Sequence, residues 1–316
     1  MKLTVAVLAY NQVQFVRQAL DSVLAQQTNF DFDIVISEDC STDGTREIVR
    51  EYAAEHPNKI HLLMSTFNAG DFRVIEELYK SARGAYIALL EGDDYWTSPH
   101  KLQKQVEFME ENQQYSICWH YQEHVDSQGL RMPDQVAHSS KLSWSVEDIL
   151  QHYPIQTSSV VLRRSMLPTL PDWLNKCPFR DYPIFVLCMQ NGPGGYLDES
   201  LGAYRIHAQG FSSCLDDVTL KLLCQRTYKQ IYLHLAPVQQ VLVAKLFARK
   251  WASVAMLQSL SGDLAACRET AREGLADFPN DVRLRLLAHF PSLYVPLRSM
   301  WLRWKHLFGR RVQDEA

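Results

Sequence analysis

The sequence predicts an α/β fold, a mostly parallel central sheet flanked by helices, followed by an all-helical C-terminal region. Three observations carry that expectation. Short apolar runs, the kind that strands buried on both faces require, recur through the N-terminal third. Between them, apolar side chains return at helical spacing. Beyond Asp216 only the helical period is left.

Taken in order, Leu3 to Ala9 is the first strand, and Val13, Val16, Leu20, Val23 and Leu24 then fall on one face of a helix. Asp33 to Ser37 is the second strand. Ser41 and Asp43 offer N-caps for a helix whose apolar face is Ile48, Val49, Tyr52 and Ala53. Ile60 to Met64 is the third strand, followed by a helix with Val74, Ile75, Leu78, Tyr79 and Ala82 on one side. Ala85 to Leu90 is the fourth. Strands joined by helices through connections this short imply right-handed crossovers and parallel pairing.

Further on, Tyr115 to Tyr121 and Thr157 to Leu162 read as strands, with a polar loop from Glu123 to Ser140 between them. Asp181-Tyr182-Pro183 opens another helix, proline being tolerated in a first turn. Gly194-Gly195 ends it, before an extended stretch to His207. The pattern sets a boundary near residue 214. It divides the chain into an α/β domain over 1–214, with halves of about 1–110 and 111–214, and a helical region over 215–316. Gly262 to Asp281 looks like a single helical-repeat unit, and one copy does not make a solenoid.

A chain of 316 residues with 47% hydrophobic and 22% charged side chains is globular and buries a sizeable core. A net charge of −4 is not that of a general polyanion binder, which argues against a nucleic-acid partner. The seven cysteines are odd in number and include no CxxC pair, so neither a zinc knuckle nor a disulfide framework is expected. They fit reduced thiols and a cytoplasmic location. The N-terminal residues do not read as a signal peptide, and no run of about 18 apolar residues predicts a membrane-spanning helix.

Parallel sheets bind ligands beyond the carboxyl ends of their strands. Those ends read Ala9-Tyr10-Asn11, Glu38-Asp39 and Glu91-Gly92-Asp93-Asp94. The carboxylates of the last segment repel one another unless something positive joins them. It is therefore either a solvated acidic turn or a cation site. A carboxylate pair at a strand end suits Mg2+ or Mn2+, hard cations that share oxygen ligands with substrate phosphates. The matching chemistry is transfer from a nucleotide-linked donor, whose diphosphate leaves readily only when neutralised.

The segments VAVLAYNQVQFVRQALDSVLAQ, DIVISEDCSTDGT, NAG, ARGAYIALLEGDDYWTSPHKL and YRIH, in this order and spacing, resemble the family 2 glycosyltransferases of GT-A fold. The resemblance covers roughly residues 1–110 and extends more weakly to about 210. It implies metal-dependent, inverting transfer from a nucleotide diphosphate-sugar, UDP-linked in the usual case, to a glycan or lipid-linked acceptor. Carried over residue by residue, it puts Ala9 and Tyr10 against the nucleobase, Asp39 in a hydrogen bond to it, and Arg73 beside the base or phosphates.

The family's acidic motif, often Asp-x-Asp-Asp, here begins with Glu91. The resemblance sets Glu91 and Asp93 on the nucleotide, and Asp93 and Asp94 as ligands of Mn2+ or Mg2+. Which aspartate touches the ion stays open. His207 matches a histidine that in some relatives joins the metal or the diphosphate. Asp181 matches the acidic residue at a helix start that takes the acceptor hydroxyl's proton. An N-terminal carboxylate favoured by the helix dipole is the other account of Asp181. Trp119 and His120 are placed to border the acceptor pocket.

No acidic residue lies between Val295 and Val312, where Trp301, Trp304, Leu307 and Phe308 mix with Arg298, Arg303, Lys305, Arg310 and Arg311. Basic side chains beside tryptophan read as an interfacial helix on anionic lipid, which would hold a cytoplasmic protein on the inner face of the membrane. A terminal helix docked on the body and a dimer interface, hence a homo-oligomer, fit the same residues. Two other functions compete. A nucleotidyltransferase would carry a glycine-rich basic loop after the first strand, where this chain has Ala9-Tyr10-Asn11-Gln12. An inactive nucleotide-sugar-binding module acting through its helical tail fits the glutamate at position 91.

Overall fold

The computed structural model describes residues 1–68, 72–133 and 138–292; the basic aromatic segment 295–312 lies outside the described residues. The chain divides into two compact units, Met1–Cys214 and Leu215–Ala316.

Alternating strands and helices open the first unit: β1 (Leu3–Ala9), α1 (Val16–Leu24), β2 (Phe32–Glu38), α2 (Thr45–Glu55), β3 (Ile60–Met64), α3 (Phe72–Ser81) and β4 (Tyr86–Glu91). Leu3, Val5, Val7, Ile34 and Ile36 are fully buried, as strands covered on both faces must be. The four strands lie in the order β3-β2-β1-β4 and pair in parallel. Ala9 pairs with Glu38 and Leu8 with Glu91, so three strands end level at one rim.

The unit continues with β5 (Tyr95–Trp96), α4 (Lys101–Glu111), β6 (Ile117–Val125), β7 (Ser143–Trp144), α5 (Val146–Gln151), β8 (Val161–Arg163), α6 (Asp181–Met189) and β9 (Gly194–Arg205). These extend the sheet as β4-β8-β6-β9-β5, with β7 also on β9. β8 is antiparallel to β4 and β6, β9 is parallel to β6, and β5 is antiparallel to β9. Two register shifts between His120 and Gln122 put extra residues into β9, and its far end then runs beside Gln122 to Val125.

The second unit is helical: α7 (Asp217–His234), α8 (Pro237–Leu260), α9 (Leu264–Asp277) and α10 (Val282–His289). Asp216, Asp263 and Asp281 cap three of these helices through their side chains, and Pro237 opens the fourth. Val243, Phe247, Trp251, Ala255, Leu284 and Leu287 are buried among them. Among the described residues no helix is long and apolar enough to cross a membrane.

Four local expectations give way to tertiary demands. Thr157–Ser159 is a 3-10 turn, and the strand starts only at Val161; Ser159 Oγ donates to Gln156 O at 2.6 Å, a local bond that competes with strand pairing. β6 runs on to Val125, into the expected loop, because β9 pairs with it there. Ser41 does not cap α2, and Asp43 holds it from outside the N-cap: the N-cap itself is Gly44 at φ +105°, a conformation open to glycine, while Asp43 Oδ1 accepts from Thr45 N at 2.9 Å. Trp119 and His120 border no open pocket: each is 1% exposed, and Trp119 packs on Trp144 and Tyr196.

Lys101 is the costliest residue of this core. It is fully buried, with Nζ 3.9 Å from the centre of the Trp96 ring and no hydrogen-bond partner. Gln105 Oε1, His120 Nε2 and both amide atoms of Gln122 are buried and unpaired as well. Burial lowers the Lys101 ammonium from its ordinary 10.5 to about 7. Burial, then the charge of Lys101, lowers His120 to about 3. Between pH 7 and 10.5 the unfolded chain therefore holds a proton on this lysine that the folded chain does not, and stability from this group rises with pH. Lys101→Met is expected to stabilise the protein by about 1–4 kcal/mol at pH 6. It should also remove most of the rise toward pH 10 when urea midpoints of the two proteins are compared. Parallel pH profiles would place the cation in water.

Candidate active site

The two N-terminal strand-end loops are pinned to each other before any ligand arrives. Asn11 N donates to Ser41 Oγ at 3.0 Å, and Thr42 N to Asn11 Oδ1 at 2.9 Å. Gln12 N donates to Thr45 Oγ1 at 2.7 Å and Val13 N to Asp43 Oδ2 at 2.9 Å. This is the use to which Ser41 and one oxygen of Asp43 are put. Asn11 and Cys40 take left-handed backbone, φ 50° and 62°, which asparagine tolerates and cysteine rarely adopts. Asp39 N donates to Ala9 O at 3.1 Å, so Ala9, Tyr10 and Asp39 form one edge of the rim. Tyr10 is 43% exposed, while Ala9 and Asp39 are buried. Arg73 stands on α3 with its guanidinium 5.6 Å from the Phe67 ring centre.

Glu38 is consumed internally. It is fully buried, its Oε2 accepts from Arg46 Nε at 2.6 Å, and its Oε1 accepts from Ser41 N at 2.5 Å. Arg46 also donates to Ser65 O, which ties α2 to the end of β3.

The acidic turn follows β4. Gly92 N donates to Leu8 O at 2.8 Å, and a Cβ on Gly92 would stand 3.1 Å from that same carbonyl and displace the Gln12 side chain, so the turn lies close against β1. Glu91 N donates to Ser158 Oγ at 3.0 Å. Asp94 is 2% exposed: its Oδ1 accepts from Arg205 N at 2.8 Å, and the Ser158 hydroxyl donates to its carboxylate. Asp94 thus supports the turn from inside. Asp93 faces the other way. Its Oδ2 lies 3.0 Å from His207 Nε2, and His207 packs on the Phe15 ring, 4.6 Å between centres.

Asp181 opens α6 on the opposite flank. Its Oδ2 accepts from Thr157 Oγ1 at 2.9 Å and from Tyr153 OH at 3.1 Å. Burial pushes the Glu91 carboxyl well above its ordinary range, and Asp93, Asp94 and Asp181 push it further. Burial also raises the phenol of Tyr204, and Asp94, Asp93, Asp181 and Glu91 all add to that rise. Adjacent residues of one 3-10 turn bond the two flanks, Thr157 to Asp181 and Ser158 to Glu91 N, so Asp181 stands near the acidic turn. Asp93 and His207 converge closely enough that both could ligate one divalent cation, whose remaining positions the oxygens of a diphosphate would fill. No group of three or more such side chains occurs among the described residues.

Sequence reasoning missed Ser158, Tyr204 and Arg205. Ser158 gives no sequence signal. Tyr204 and Arg205 do, since both belong to the YRIH segment, of which the resemblance assigns a role to His207 alone.

Residues 4–167 match the family model described as Glycosyl transferase family 2. An uncharacterised protein of Mycobacterium tuberculosis is 35% identical over 209 residues, covering 66% of this chain and 60% of that protein, so the chain spans under two thirds of this relative's length. The Escherichia coli UDP-Glc:alpha-D-GlcNAc-diphosphoundecaprenol beta-1,3-glucosyltransferase is 24% identical over 215 residues, 66% of this chain and 79% of that protein. A mannosyltransferase from Pyrobaculum calidifontis, solved with GDP-Man and Mn2+, shares the GT-A fold with a TM-score of 0.58 and 16% identity, covering 98% of this chain and 87% of that one.

The Glu38–Arg46 pair and the exposed Arg17–Glu51 pair, both at 2.6 Å, make a contrast in burial. Arg46→Met strands a buried carboxylate and is expected to cost about 3–5 kcal/mol. Arg17→Met, at an exposed pair, is expected to leave the unfolding midpoint close to that of the wild type. Urea unfolding of the two variants checks this, and equal costs would mean that Glu38 reaches water.

Proposed function

Because this chain belongs to glycosyl transferase family 2 and is a transferase, we propose that it moves a sugar from a nucleotide diphosphate-sugar, UDP-linked, onto a hydroxyl of a glycan or lipid-linked acceptor with inversion at the sugar carbon. The observation that carries the reading is the approach of Asp93 to His207 at the rim that also holds Ala9 and Asp39, across from Asp181.

Tyr10 packs on the base, Asp39 hydrogen-bonds it beside Ala9, and Arg73 reaches the base or phosphates from α3. Glu91 and Asp93 face the nucleotide. Asp93 and His207 would hold Mn2+ or Mg2+, while Asp94 keeps the turn in shape. When bound, that cation would supply positive charge to the departing diphosphate. Asp181 takes the proton of the acceptor hydroxyl through the carboxylate oxygen that Thr157 and Tyr153 leave open. Those two hydroxyls and the start of α6 fix where that carboxylate points.

The printed name of the E. coli relative, with its UDP-Glc donor and diphosphoundecaprenol-linked acceptor, supports the UDP and lipid-linked parts of this reading. The Mn2+ in the P. calidifontis complex supports the cation. The transferase domain is residues 1–214, and the basic segment 295–312 would hold it at a membrane surface where a lipid-linked acceptor resides.

Calorimetric titration with UDP, GDP and CDP, each with Mn2+ and then with EDTA, tests the donor. UDP binding that disappears with EDTA is the expected result, and no binding of any of the three would favour an inactive module. Asp181→Asn is expected to keep UDP affinity and to lower sugar transfer to membrane lipid extract by about 10²–10⁴-fold. Unchanged transfer would move the base elsewhere.

A further inference from the structure

We propose that Arg205 is the positioning residue of the donor site: it fixes where the Asp93 carboxylate and the His207 ring meet, without touching donor or cation itself. This rests on the donor reading above.

Arg205 is 5% exposed, and its contacts radiate into every element around the acidic turn. Its backbone N donates to Asp94 Oδ1 at 2.8 Å, and Nε donates to the Asp93 carbonyl at 2.8 Å. Nη1 donates to Asp126 O and Ser127 O at 3.2 and 3.3 Å, and Nη2 to Gln18 Oε1 at 2.7 Å. The guanidinium also packs on two rings, 4.6 Å from the Phe15 centre and 5.2 Å from that of Tyr95. Phe15 is the ring on which His207 rests. Asp93 is therefore indexed to Arg205 through its carbonyl. His207 is indexed to it through the shared ring and the two bonds of chain that separate them.

Only a planar fork does this. Bonds leave Nε, Nη1 and Nη2 in three fixed directions while both faces stay free for aromatic packing, whereas an ammonium is a single point on a flexible stem. Every side-chain acceptor of Arg205 is a carbonyl or amide oxygen, so the side chain is not locked into an ion pair among the described residues. A buried guanidinium is expensive to desolvate. Holding a carbonyl–carbonyl–amide framework would not by itself require it, but setting a rigid turn beside clustered carboxylates does.

The test uses the full chain and two probes: UDP with Mn2+ by calorimetry, and uridine by saturation-transfer NMR. Arg205→Lys and Arg205→Gln are both expected to weaken Mn2+–UDP binding at least tenfold. Both should leave the uridine signal at its wild-type level, since Tyr10 and Asp39 belong to another edge of the rim. Gln18→Ala, an exposed position that removes one hold on the guanidinium, should weaken Mn2+–UDP binding about threefold. Parallel loss of uridine and Mn2+–UDP in the Arg205 variants would reduce Arg205 to a fold residue and overturn the proposal. So would full rescue by lysine, which would mean charge alone, or wild-type Mn2+–UDP affinity in all variants. If Arg205 variants do not fold, Gln18→Ala decides alone, and unchanged affinity there sinks the idea. Wild-type protein that binds no UDP with Mn2+ would instead remove the donor reading itself.

Discussion

Repulsion among carboxylates is the constraint around which this molecule is arranged. Glu91, Asp93 and Asp94 share one tight turn, and Asp181 lies within electrostatic reach of it. Like charges this close raise one another's proton affinity and strain the turn unless donors are brought to them. The chain brings those donors from distant segments: the Ser158 hydroxyl from the 3-10 turn and the backbone N–H of Arg205 from β9 to Asp94, and the hydroxyls of Thr157 and Tyr153 to Asp181. Sheet order β4-β8-β6-β9 is what makes the delivery feasible, since β8 follows directly from the turn that carries Ser158 and β9 ends at Arg205.

The parallel half of the fold was legible because its signals are local. The run Leu3 to Ala9 and the helical faces of α1 and α2 depend on period alone, and the periods were clear. The second half of the first unit was harder to read because pairing partners decide it. Thr157 to Leu162 has strand composition, yet Ser159 spends its hydroxyl on Gln156 O and the segment turns. Ser41 has cap chemistry, yet its oxygen goes to Asn11 across the rim, and Asp43 divides its carboxylate between Thr45 N at the start of α2 and Val13 N. A side chain with two plausible partners, one local and one remote, cannot be assigned from its neighbours in sequence.

The same division runs through the candidate site. Strand ends named Ala9, Asp39 and the acidic turn, because topology alone sends ligands there. They did not separate Asp93 from Asp94. That separation is made by which carboxylate Arg205 and Ser158 claim, a fact that resides at positions 205 and 158. His207 was legible only through a motif, and its approach to Asp93 depends on β9 being lengthened by the register shifts beside His120 and Tyr121.

The cross-pinned loops after β1 and β2 have a consequence for binding kinetics. Four hydrogen bonds already join residues 11–13 to residues 41–45, and two non-glycine residues there are held in left-handed backbone. The conformational entropy of ordering that wall was lost when the chain folded, so a ligand reaching it has little left to freeze. Encounter at such a surface is limited by diffusion and orientation rather than by loop rearrangement, and affinity is then set by how long the ligand stays.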